Sequence, residues 1–412
     1  MNKIANECGF IFCDTSKNAE KPDKPGIVKP DIGLFRIGDK NASYLYNVKA
    51  KHGDPPSYVA HMGLVYLFIE VKKRADQDIF TDPPDNPSPN YRFTVDAWSE
   101  EEEQLNRTLA LGQMTHYAHV VQSRQFRTCI FSLTVSGSTA RIMRWDRSGL
   151  LVTRSFDYKA KPNILVDFIW RFINANKVQQ GFDPTATAVN SEEDRDSFRE
   201  AIKSHVELQL ALGPTTPENR LTAEVNRHRD PEVLTRLAIG DRKFWVCRQL
   251  WASRAIVGRC TVAYWGVDCN SKEVVFVKDA WRTKVEDVEL EGDILERLRN
   301  KEVSHIPSLV CHGNVTIGGM HATDLRGKVL TPSFTETLQT THTDRFADEP
   351  WVKSRHNNQP QLQKITPRIH YRLVTNNAGY PLSSFKGSRE LLCATYDAFT
   401  GREALSLFPH NS

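Results

Sequence analysis

Two carboxylates and a lysine occupy positions at which strand ends could bring them together. Asp31 begins a strand-like segment, KPDIGLF, while Glu70 and Lys72 close the apolar run GLVYLFIEVK. Residues two apart on a strand point to the same side of a sheet, so Glu70 and Lys72 share a face. Carboxylate oxygens suit Mg²⁺, and a neighbouring lysine can position or deprotonate an attacking water. The pattern is typical of magnesium-assisted hydrolysis, provided that the strand of Asp31 pairs beside that of Glu70.

A helix is predicted from about Glu103 to Gln122, and it places Gln113 and Tyr117 one turn apart on the same face. The order of a PD strand, an ExK strand and a QxxxY helix resembles the restriction-endonuclease-like nucleases. The resemblance is to the exonuclease branch that carries QxxxY in particular. It implies that the helix pair contacts the end of the substrate or supports the site.

The same resemblance implies a role for each residue at the strand ends. Asp31 and Glu70 correspond to the metal ligands, and Lys72 corresponds to the catalytic lysine. These nucleases usually carry an acid on a preceding helix, for which Glu7 is the only nearby candidate. Two further interpretations stay open. One is a nuclease-like fold that keeps these residues without activity, and the other is a strand end whose Glu and Lys are simply solvated.

A second pair of residues is typical of phosphate binding. Lys278 closes the apolar strand VVFVK, as the lysine that binds the α- and β-phosphates does in kinases, and Glu291 follows thirteen residues later on a predicted helix. A buried lysine needs such a partner, because burial disfavours an unpaired ammonium. Upstream, VGRCTVAYW stands where kinases have a glycine-rich phosphate loop, and Gly258 is the one glycine of that pattern that remains.

The tripeptide His228-Arg229-Asp230 matches the start of the catalytic loop of protein kinases. That loop also needs an Asn five residues after the Asp, to bind a magnesium ion, and the position is Thr235 here. Asp230 followed by Pro231 instead predicts the cap and first turn of a helix. The tripeptide also precedes the strand that carries the candidate phosphate-binding lysine. We interpret it as a chance match.

Bulk composition describes an ordinary globular chain. Of the 412 residues, 40% are hydrophobic and 25% charged, and the formal net charge of +4 neither requires nor excludes nucleic acid. No run of eighteen apolar residues predicts a membrane span, and the first residues lack the layout of a signal peptide. The eight cysteines are scattered without a CxxC pair, so we expect reduced thiols and a cytosolic or nuclear protein.

Breaks in composition divide the chain into three parts. The predicted parts are an α/β domain over residues 1–178, a helical connector over 179–240, and a second domain over 241–412 with a polar, extended or mobile insertion at about 320–367. The second domain begins with three antiparallel strands, FWVCRQL, RCTVAYWGVD and EVVFVKDAW. A helix with Val288 on its apolar face follows, then the strands SLVCHG and IHYRLVT, and a final helix near Ser388.

Taken in order, these stretches resemble the fungal-type protein kinase domain family. The stretches that carry the resemblance are KPDIGLF, FIEVK, RWDRSG, GRCTVAYWGVD, VVFVKDAWR, EGDILERL, HYRLVT and SRELLCATYDAF. The arrangement of an endonuclease-like region followed by a kinase-like one also resembles that of crinkler-type effectors. The resemblance implies phosphoryl transfer from ATP, with Mg²⁺, to Ser or Thr hydroxyls of proteins. It assigns nucleotide binding to Gly258, Lys278 and Glu291.

The fold expected from both resemblances is α/β plus α+β. It comprises a restriction-endonuclease-like α/β domain and an incomplete protein-kinase-like domain, made of the small lobe and the first large-lobe helix. After YDAF the family continues into a catalytic loop and a metal-binding Asp, whereas this sequence reads TGREALSLFPHNS. We therefore expect a truncated relative in which ATP binding is weak or vestigial and phosphoryl transfer is lost.

Two alternatives from other functional classes remain beside the inactive kinase relative. One is a Mg²⁺-dependent nuclease that uses Asp31, Glu70 and Lys72, with nucleic acid as its partner. The other is a non-catalytic scaffold that binds a protein, such as a full-length paralogue, through the exposed apolar face of the incomplete lobe.

Overall fold

The computed structural model describes residues 2–17, 28–37, 59–88, 91, 93–94, 102–210, 218–228, 233–285, 288–317, 337–350, 352–353, 365–385 and 387–406. The chain forms two compact units. Unit 1 comprises Met1–Pro184, Arg254–Cys260 and Thr340–Arg368. Unit 2 comprises Thr185–Ser253, Thr261–Gln339 and Ile369–Ser412.

Unit 1 is built on a mixed sheet with strand order β1-β2-β3-β4-β5-β6, to which β7 adds by pairing with β5. The strands are β1 Phe10–Asp14, β2 Ile32–Arg36, β3 Leu67–Lys72, β4 Ile130–Ser136, β5 Thr139–Asp146, β6 Gly149–Val152 and β7 Phe156–Asp157. The helices are α1 Asn2–Glu7, α2 Glu102–Arg124 and α3 Pro162–Asn174. β3 and β4 are parallel, and α2 lies between them in the chain as the crossover that a parallel pair requires.

Both faces of this sheet are covered, which explains the nearly continuous apolar sequence of β3. Leu67 and Ile69 pack in a core with Phe172 of α3, whereas Phe68 packs in a second core with Met114 of α2. A strand that is buried on both faces reads as an apolar run rather than an alternating one. Because side chains alternate along a strand, the positions two and four residues after Phe68 also point toward α2.

Unit 2 is built on a second sheet, with strand order β13-β16-β12-β11-β10-β9-β8. The strands are β8 Ala186–Ala188, β9 Thr235–Ile239, β10 Arg242–Ala252, β11 Val262–Asp268, β12 Val274–Thr283, β13 Leu309–Asn314 and β16 Arg368–Thr375. A separate pair consists of β14 Thr316–Ile317 and β15 Thr337–Leu338. The helices are α4 Glu192–Leu210, α5 Glu218–Arg227, α6 Glu291–Asn300 and α7 Ser388–Ser406.

The helices α4 and α5, from the region predicted as a connector, belong to unit 2. Phe198, Ile202 and Val206 of α4 pack with Trp245 and Trp265 of the sheet. These three helix positions are four residues apart, so they form one apolar stripe, as the sequence pattern predicts. We call the side of the sheet that they cover the helix-covered face.

The structure corrects two helix predictions in unit 2. Residues 229–232, with the Asp230 cap, lie outside the described residues, but Val233 and Leu234 are not helical and β9 begins at Thr235. Burial alternates along β9 because it pairs with β10, and this tertiary pairing overrides the local helix signal. The second correction concerns Val288, which is 59% exposed and precedes α6 instead of lying on its apolar face.

The predicted insertion at about 320–367 is partly described, and part of it is held in unit 1. Asp146 is fully buried, and its carboxylate accepts hydrogen bonds from the amides of His342 and Thr343, each over 2.9 Å. The hydroxyl of Ser148 donates to that of Thr341 over 2.6 Å. Residues 341–343 are therefore anchored to the turn between β5 and β6, and the extended or mobile character of the insertion as a whole stays a prediction. Residues 318–336 and 354–364 lie outside the described part of the chain.

A turn at Asp146-Arg147-Ser148-Gly149 joins β5 to β6, and Gly149 pairs with Asp146. The final helix begins at Ser388 as predicted, and it exposes Leu392, Tyr396 and Phe399 on one stripe.

All eight cysteines are free thiols. Among the described residues, no helix is long and apolar enough to cross a membrane.

Candidate functional site

The structure brings together the residues of the first candidate site, in unit 1. β2 and β3 pair antiparallel, which places Asp31, immediately before β2, beside the end of β3. The amide of Val71 donates to Oδ2 of Asp31 over 2.7 Å. Glu70 and Lys72 share the α2 side of β3, and Nζ of Lys72 donates to Oε1 of Glu70 over 2.7 Å.

Helix α2 contributes the other two predicted residues. Oε1 of Gln113 lies 3.4 Å from Nζ of Lys72, and Nε2 of Gln113 donates to the hydroxyl of Tyr117 over 2.5 Å. The Tyr117 hydroxyl in turn donates to the carbonyl of Lys29 over 2.7 Å. This chain of hydrogen bonds connects the helix to the segment that holds Asp31. Burial and the negative charge of Glu70 raise the pKa of Tyr117 to about 12, so its hydroxyl stays protonated and able to donate.

One oxygen of this cluster has no partner among the described residues. Glu70 is 3% exposed, and its Oε2 atom is buried without a hydrogen bond. Burial raises the pKa of the Glu70 carboxyl, and the charge of Asp31 raises it further, whereas Lys72 and a hydrogen bond from the backbone of Asp31 lower it. A buried carboxylate oxygen without a partner carries a desolvation cost that a cation would offset. The donor set therefore fits a divalent cation held by Asp31 and Glu70.

Glu7, the candidate for the additional acid, does not join this cluster. It ends α1 and is exposed, and Ala5 packs α1 into the core on the α3 side of the sheet. Glu70 points to the opposite side. Within the described part of the chain, no group of three or more His, Cys, Asp or Glu side chains is arranged to hold a metal.

The second candidate site lies on the sheet of unit 2. Nζ of Lys278 on β12 donates to both carboxylate oxygens of Glu291, over 2.7 Å to Oε1 and 2.6 Å to Oε2. The two side chains are 21% and 39% exposed, so the pair is reachable from solvent. Lys278 is the register partner of Ala263 on β11, which places it on the helix-covered face with Trp265.

Glu291 is positioned by the close approach of α6 to the neighbouring strands. It is the first residue of α6, and the amide of Gly292 donates to the hydroxyl of Tyr371 over 2.9 Å. A Cβ atom at position 292 would lie only 2.0 Å from Cγ of His312, so no larger residue fits there without displacement of its surroundings. Glycine at position 292 thus sets how near Glu291 comes to Lys278.

Gly258 is placed with a different set of residues. It belongs to unit 1, whereas Lys278 and Glu291 belong to unit 2. Its amide donates to the carbonyl of Arg147 over 2.9 Å, and its φ of +110° is in the region that favours glycine. The structure therefore gives Gly258 a contact in unit 1, and a role for it in nucleotide binding stays a prediction.

Comparison with protein families tests the kinase resemblance. The sequence model of the family described as fungal protein kinase matches residues 93–408, which is more than half of the chain. The chain belongs to the fungal protein kinase family. Comparisons with curated proteins and with solved structures give no match. The kinase resemblance of this family member is confirmed, and the match includes both Lys278 and Glu291.

The matched range of this fungal protein kinase family member begins after Asp31, Glu70 and Lys72, and it includes Gln113 and Tyr117. The family match thus does not extend to the three strand-end residues of the nuclease-like cluster. Their resemblance to nucleases stays a prediction that rests on the geometry of unit 1.

Sequence reasoning missed a buried charge network next to Lys278. Asp279 points to the opposite face of β12, where it accepts from Nε2 of His370 over 2.7 Å and from Nε of Arg372 over 2.8 Å. The His370 ring stacks on that of Trp281, with centroids 4.6 Å apart. Alternating His and Arg in the apolar strand IHYRLVT were the available signal, since polar residues two apart share a face.

Proposed function

We propose that this fungal protein kinase family member binds the phosphates of ATP through Lys278. The observation that carries the proposal is the contact of Nζ of Lys278 with both oxygens of Glu291. In kinases this lysine contacts the α- and β-phosphates, and the glutamate of the following helix must hold it in place. Family membership supports the same assignment.

The exposure of the pair is compatible with this role. The side chain of Lys278 is 21% exposed, so a phosphate oxygen can reach its ammonium group while Glu291 holds the group in position. A charge-assisted hydrogen bond to phosphate is stronger than a neutral one, because both partners are ionised. The proposal assigns phosphate binding to Lys278 and positioning of the lysine to Glu291.

The proposal concerns binding and not turnover. Phosphoryl transfer depends on a base that orients the hydroxyl and on metal-held charge stabilisation, and the Lys278–Glu291 pair supplies neither. ATP-dependent transfer to Ser or Thr is the activity that the family resemblance implies, and we propose that this chain does not perform it alone. Incubating the full chain with ATP, Mg²⁺ and a Ser/Thr peptide library checks this. Turnover that is lost on Lys278→Ala would contradict it.

Calorimetric titration of the full chain with ATP tests the binding proposal. Lys278→Ala should weaken ATP binding by roughly ten- to a hundredfold, since a hydrogen bond to a charged group contributes about 1.5–3 kcal/mol. Lys284→Ala is the matched control, because Lys284 follows the same strand and is exposed. Equal affinities of the wild type and Lys278→Ala would remove the proposal.

The buried, unpartnered Oε2 atom of Glu70 favours a second candidate function, in unit 1. We propose there a Mg²⁺-dependent nuclease site in which Asp31 and Glu70 hold the metal. A bound Mg²⁺ would supply Lewis-acid polarisation of a phosphate and a more acidic water. Lys72 would balance charge on the phosphate, and its contacts with Glu70 and Gln113 fix its position.

Incubation of the full chain with linear DNA and Mg²⁺ tests the nuclease proposal. Degradation should occur with the wild type and be lost in Lys72→Ala. Lys73→Ala serves as the control, because Lys73 directly follows Lys72 and is exposed. Absence of degradation, or degradation that Lys72→Ala leaves unchanged, would exclude this candidate.

A further inference from the structure

A stack of two aromatic rings lies on the helix-covered face of unit 2. The ring of His228, immediately after α5, is parallel to that of Trp265 on β11, with an angle of 2° and centroids 3.8 Å apart. Tyr380 and His205 contact Trp265 edge-on, with centroids 5.1 and 4.8 Å away. His228 is 5% exposed, so its ring is enclosed by these neighbours.

The stack is not fixed by hydrogen bonds of its rings. Nδ1 and Nε2 of His228, and Nε1 of Trp265, are buried and have no hydrogen-bond partner among the described residues. Buried polar atoms without partners carry a desolvation cost, and most buried polar side chains avoid it. By contrast, Nε2 of His205 contacts the carbonyl of Ala378 over 2.8 Å. Ring contact is therefore what retains His228 in this position.

The stack lies near Lys278, on the same face of the sheet. Ala263 is the register partner of Lys278, and Trp265 is that of Phe276. Trp265 and Lys278 therefore lie on the same face of adjacent strands as diagonal neighbours, a relation that corresponds to about 7–8 Å. A nucleotide whose phosphates contact Lys278 would have its base within reach of the Trp265 ring.

We propose that the ring of His228 occupies the position on Trp265 that the base of a bound adenine nucleotide would take. Nucleotide binding then requires His228 to leave the stack, which makes the end of α5 an autoinhibitory element. A planar aromatic ring stacked in parallel is also the arrangement in which aromatic side chains bind nucleobases. The inference rests on the proposed binding of ATP phosphates by Lys278.

The local structure permits this exchange. His228 follows the last residue of α5, and its amide donates to the carbonyl of Val225 over 3.1 Å, whereas its side chain makes no hydrogen bond among the described residues. Val225 is buried in the core of unit 2 and anchors the helix. Departure of the His228 ring would therefore break no side-chain hydrogen bond of the described residues, and Val225 would keep α5 packed. A molecule in which the His228 ring fills the position on Trp265 cannot bind the base there. The apparent affinity for nucleotide is therefore the intrinsic affinity multiplied by the fraction of molecules in which this position is empty.

Titration of the full chain with ATP tests the inference through His228→Gly, which empties the position on Trp265. We expect this variant to bind ATP roughly tenfold or more tightly than the wild type. His305→Gly, which removes a partly exposed histidine of unit 2, is the control and should leave the affinity unchanged. Equal ATP affinities of the wild type and His228→Gly, with binding by both weakened on Lys278→Ala, would overturn the inference while the proposed function stands.

Two further measurements separate this inference from the proposed function. Adenine alone, which has no phosphate, should raise the melting temperature of His228→Gly and leave that of the wild type unchanged, and absence of this effect would overturn the inference. In the wild type, NMR signals of the His228 ring protons, shifted by the Trp265 ring, should return toward ordinary values as ATP is added. Persistence of the shifted signals at saturating ATP would contradict the inference without any variant. ATP binding that is indifferent to Lys278→Ala would instead refute the proposed function.

Discussion

The amide of Gly292 donates a hydrogen bond to the hydroxyl of Tyr371 over 2.9 Å, and this contact ties the first turn of α6 to β16. Burial raises the pKa of Tyr371 to about 12, so its hydroxyl stays protonated at neutral pH. Since Glu291 directly precedes Gly292, the distance between α6 and the sheet also determines whether Glu291 reaches Lys278. The packing of α6 and the candidate nucleotide site are thus coupled through one residue.

Replacement of Gly292 by Ala should separate the Lys278–Glu291 pair. The added Cβ would lie 2.0 Å from Cγ of His312, so α6 or the His312 ring must move. We expect a stability loss of roughly 1–3 kcal/mol, typical of overpacking. ATP affinity in calorimetry should fall as far as in Lys278→Ala. Gly313→Ala is the matched control, because nothing lies within 4 Å of a Cβ at that position. Wild-type ATP affinity in Gly292→Ala would contradict the coupling.

The buried Asp279 network should be a major source of stability in unit 2. Burial alone would raise the pKa of Asp279, but His370 and Arg372 lower it far below its usual range. Arg372→Leu removes one partner and leaves a buried carboxylate that is incompletely compensated. We expect a loss of roughly 3–5 kcal/mol in the free energy of unfolding, measured with urea.

An exposed ion pair of unit 2 provides the comparison for Arg372→Leu. Arg199 contacts Asp196 one helical turn away, and their side chains are 45% and 65% exposed. Because solvent screens such a pair, Arg199→Ala should change the free energy of unfolding by no more than about 0.5 kcal/mol. If Arg372→Leu and Arg199→Ala lowered the free energy of unfolding by similar amounts, the buried network would contribute no more stability than an exposed ion pair.

Stability should depend on pH through His228. Burial, followed by the nearby charges of His205, Arg227 and Arg248, lowers the pKa of His228 to about 4, from 6.5. Between these two pH values the unfolded chain binds a proton that the folded chain does not. The contribution of His228 is therefore fully present above pH 6.5 and is lost as the pH falls toward 4. The loss amounts to roughly 3 kcal/mol.

Urea unfolding at pH values between 4 and 7 checks the contribution of His228. His228→Phe keeps a ring on Trp265 but removes the titrating group, so its stability should fall less steeply over this range than that of the wild type. His205 also has a lowered pKa, because of burial, and its own contribution should remain in the variant. If the free energy of unfolding changed equally with pH in the wild type and in His228→Phe, His228 would bind its proton equally well in the folded and the unfolded chain.

Local spacing predicts the first candidate pair, because Glu70 and Lys72 are two residues apart on one strand and therefore share a face. The second pair is predicted by the resemblance to kinases, since Lys278 lies within β12, Glu291 begins α6, and no single period relates a strand to a helix.

Contacts between distant segments could not be predicted in this way. His370 and Arg372 are 91 and 93 residues from Asp279, and they meet only because β16 lies beside β12 in the sheet. His228 was considered for its place in a three-residue motif, whereas its burial against Trp265 depends on how α5 packs on β11. Gly258 likewise matches a position in a kinase pattern but contacts Arg147 of unit 1. Each of these outcomes follows from tertiary packing that overrides a local signal.

Magnesium should bind unit 1 through Asp31 and Glu70. A ligand that binds only the folded state stabilises it, by about 1.4 kcal/mol at ten times its dissociation constant. Mg²⁺ should therefore raise the melting temperature of the wild type and have no such effect on Glu70→Gln, which lacks the charge of the buried carboxylate. Because the pKa of Glu70 is raised, the effect of Mg²⁺ should increase with pH as this carboxyl loses its proton.

A carboxylate on the other side of the same sheet controls for non-specific effects of Mg²⁺. Asp167 lies on α3 and is 56% exposed, and α3 packs on the face opposite to Glu70. Asp167→Asn should therefore keep the full shift in melting temperature. If Glu70→Gln also kept it, the unpartnered Oε2 atom would not be a metal ligand, and the nuclease candidate would lose the observation on which it depends.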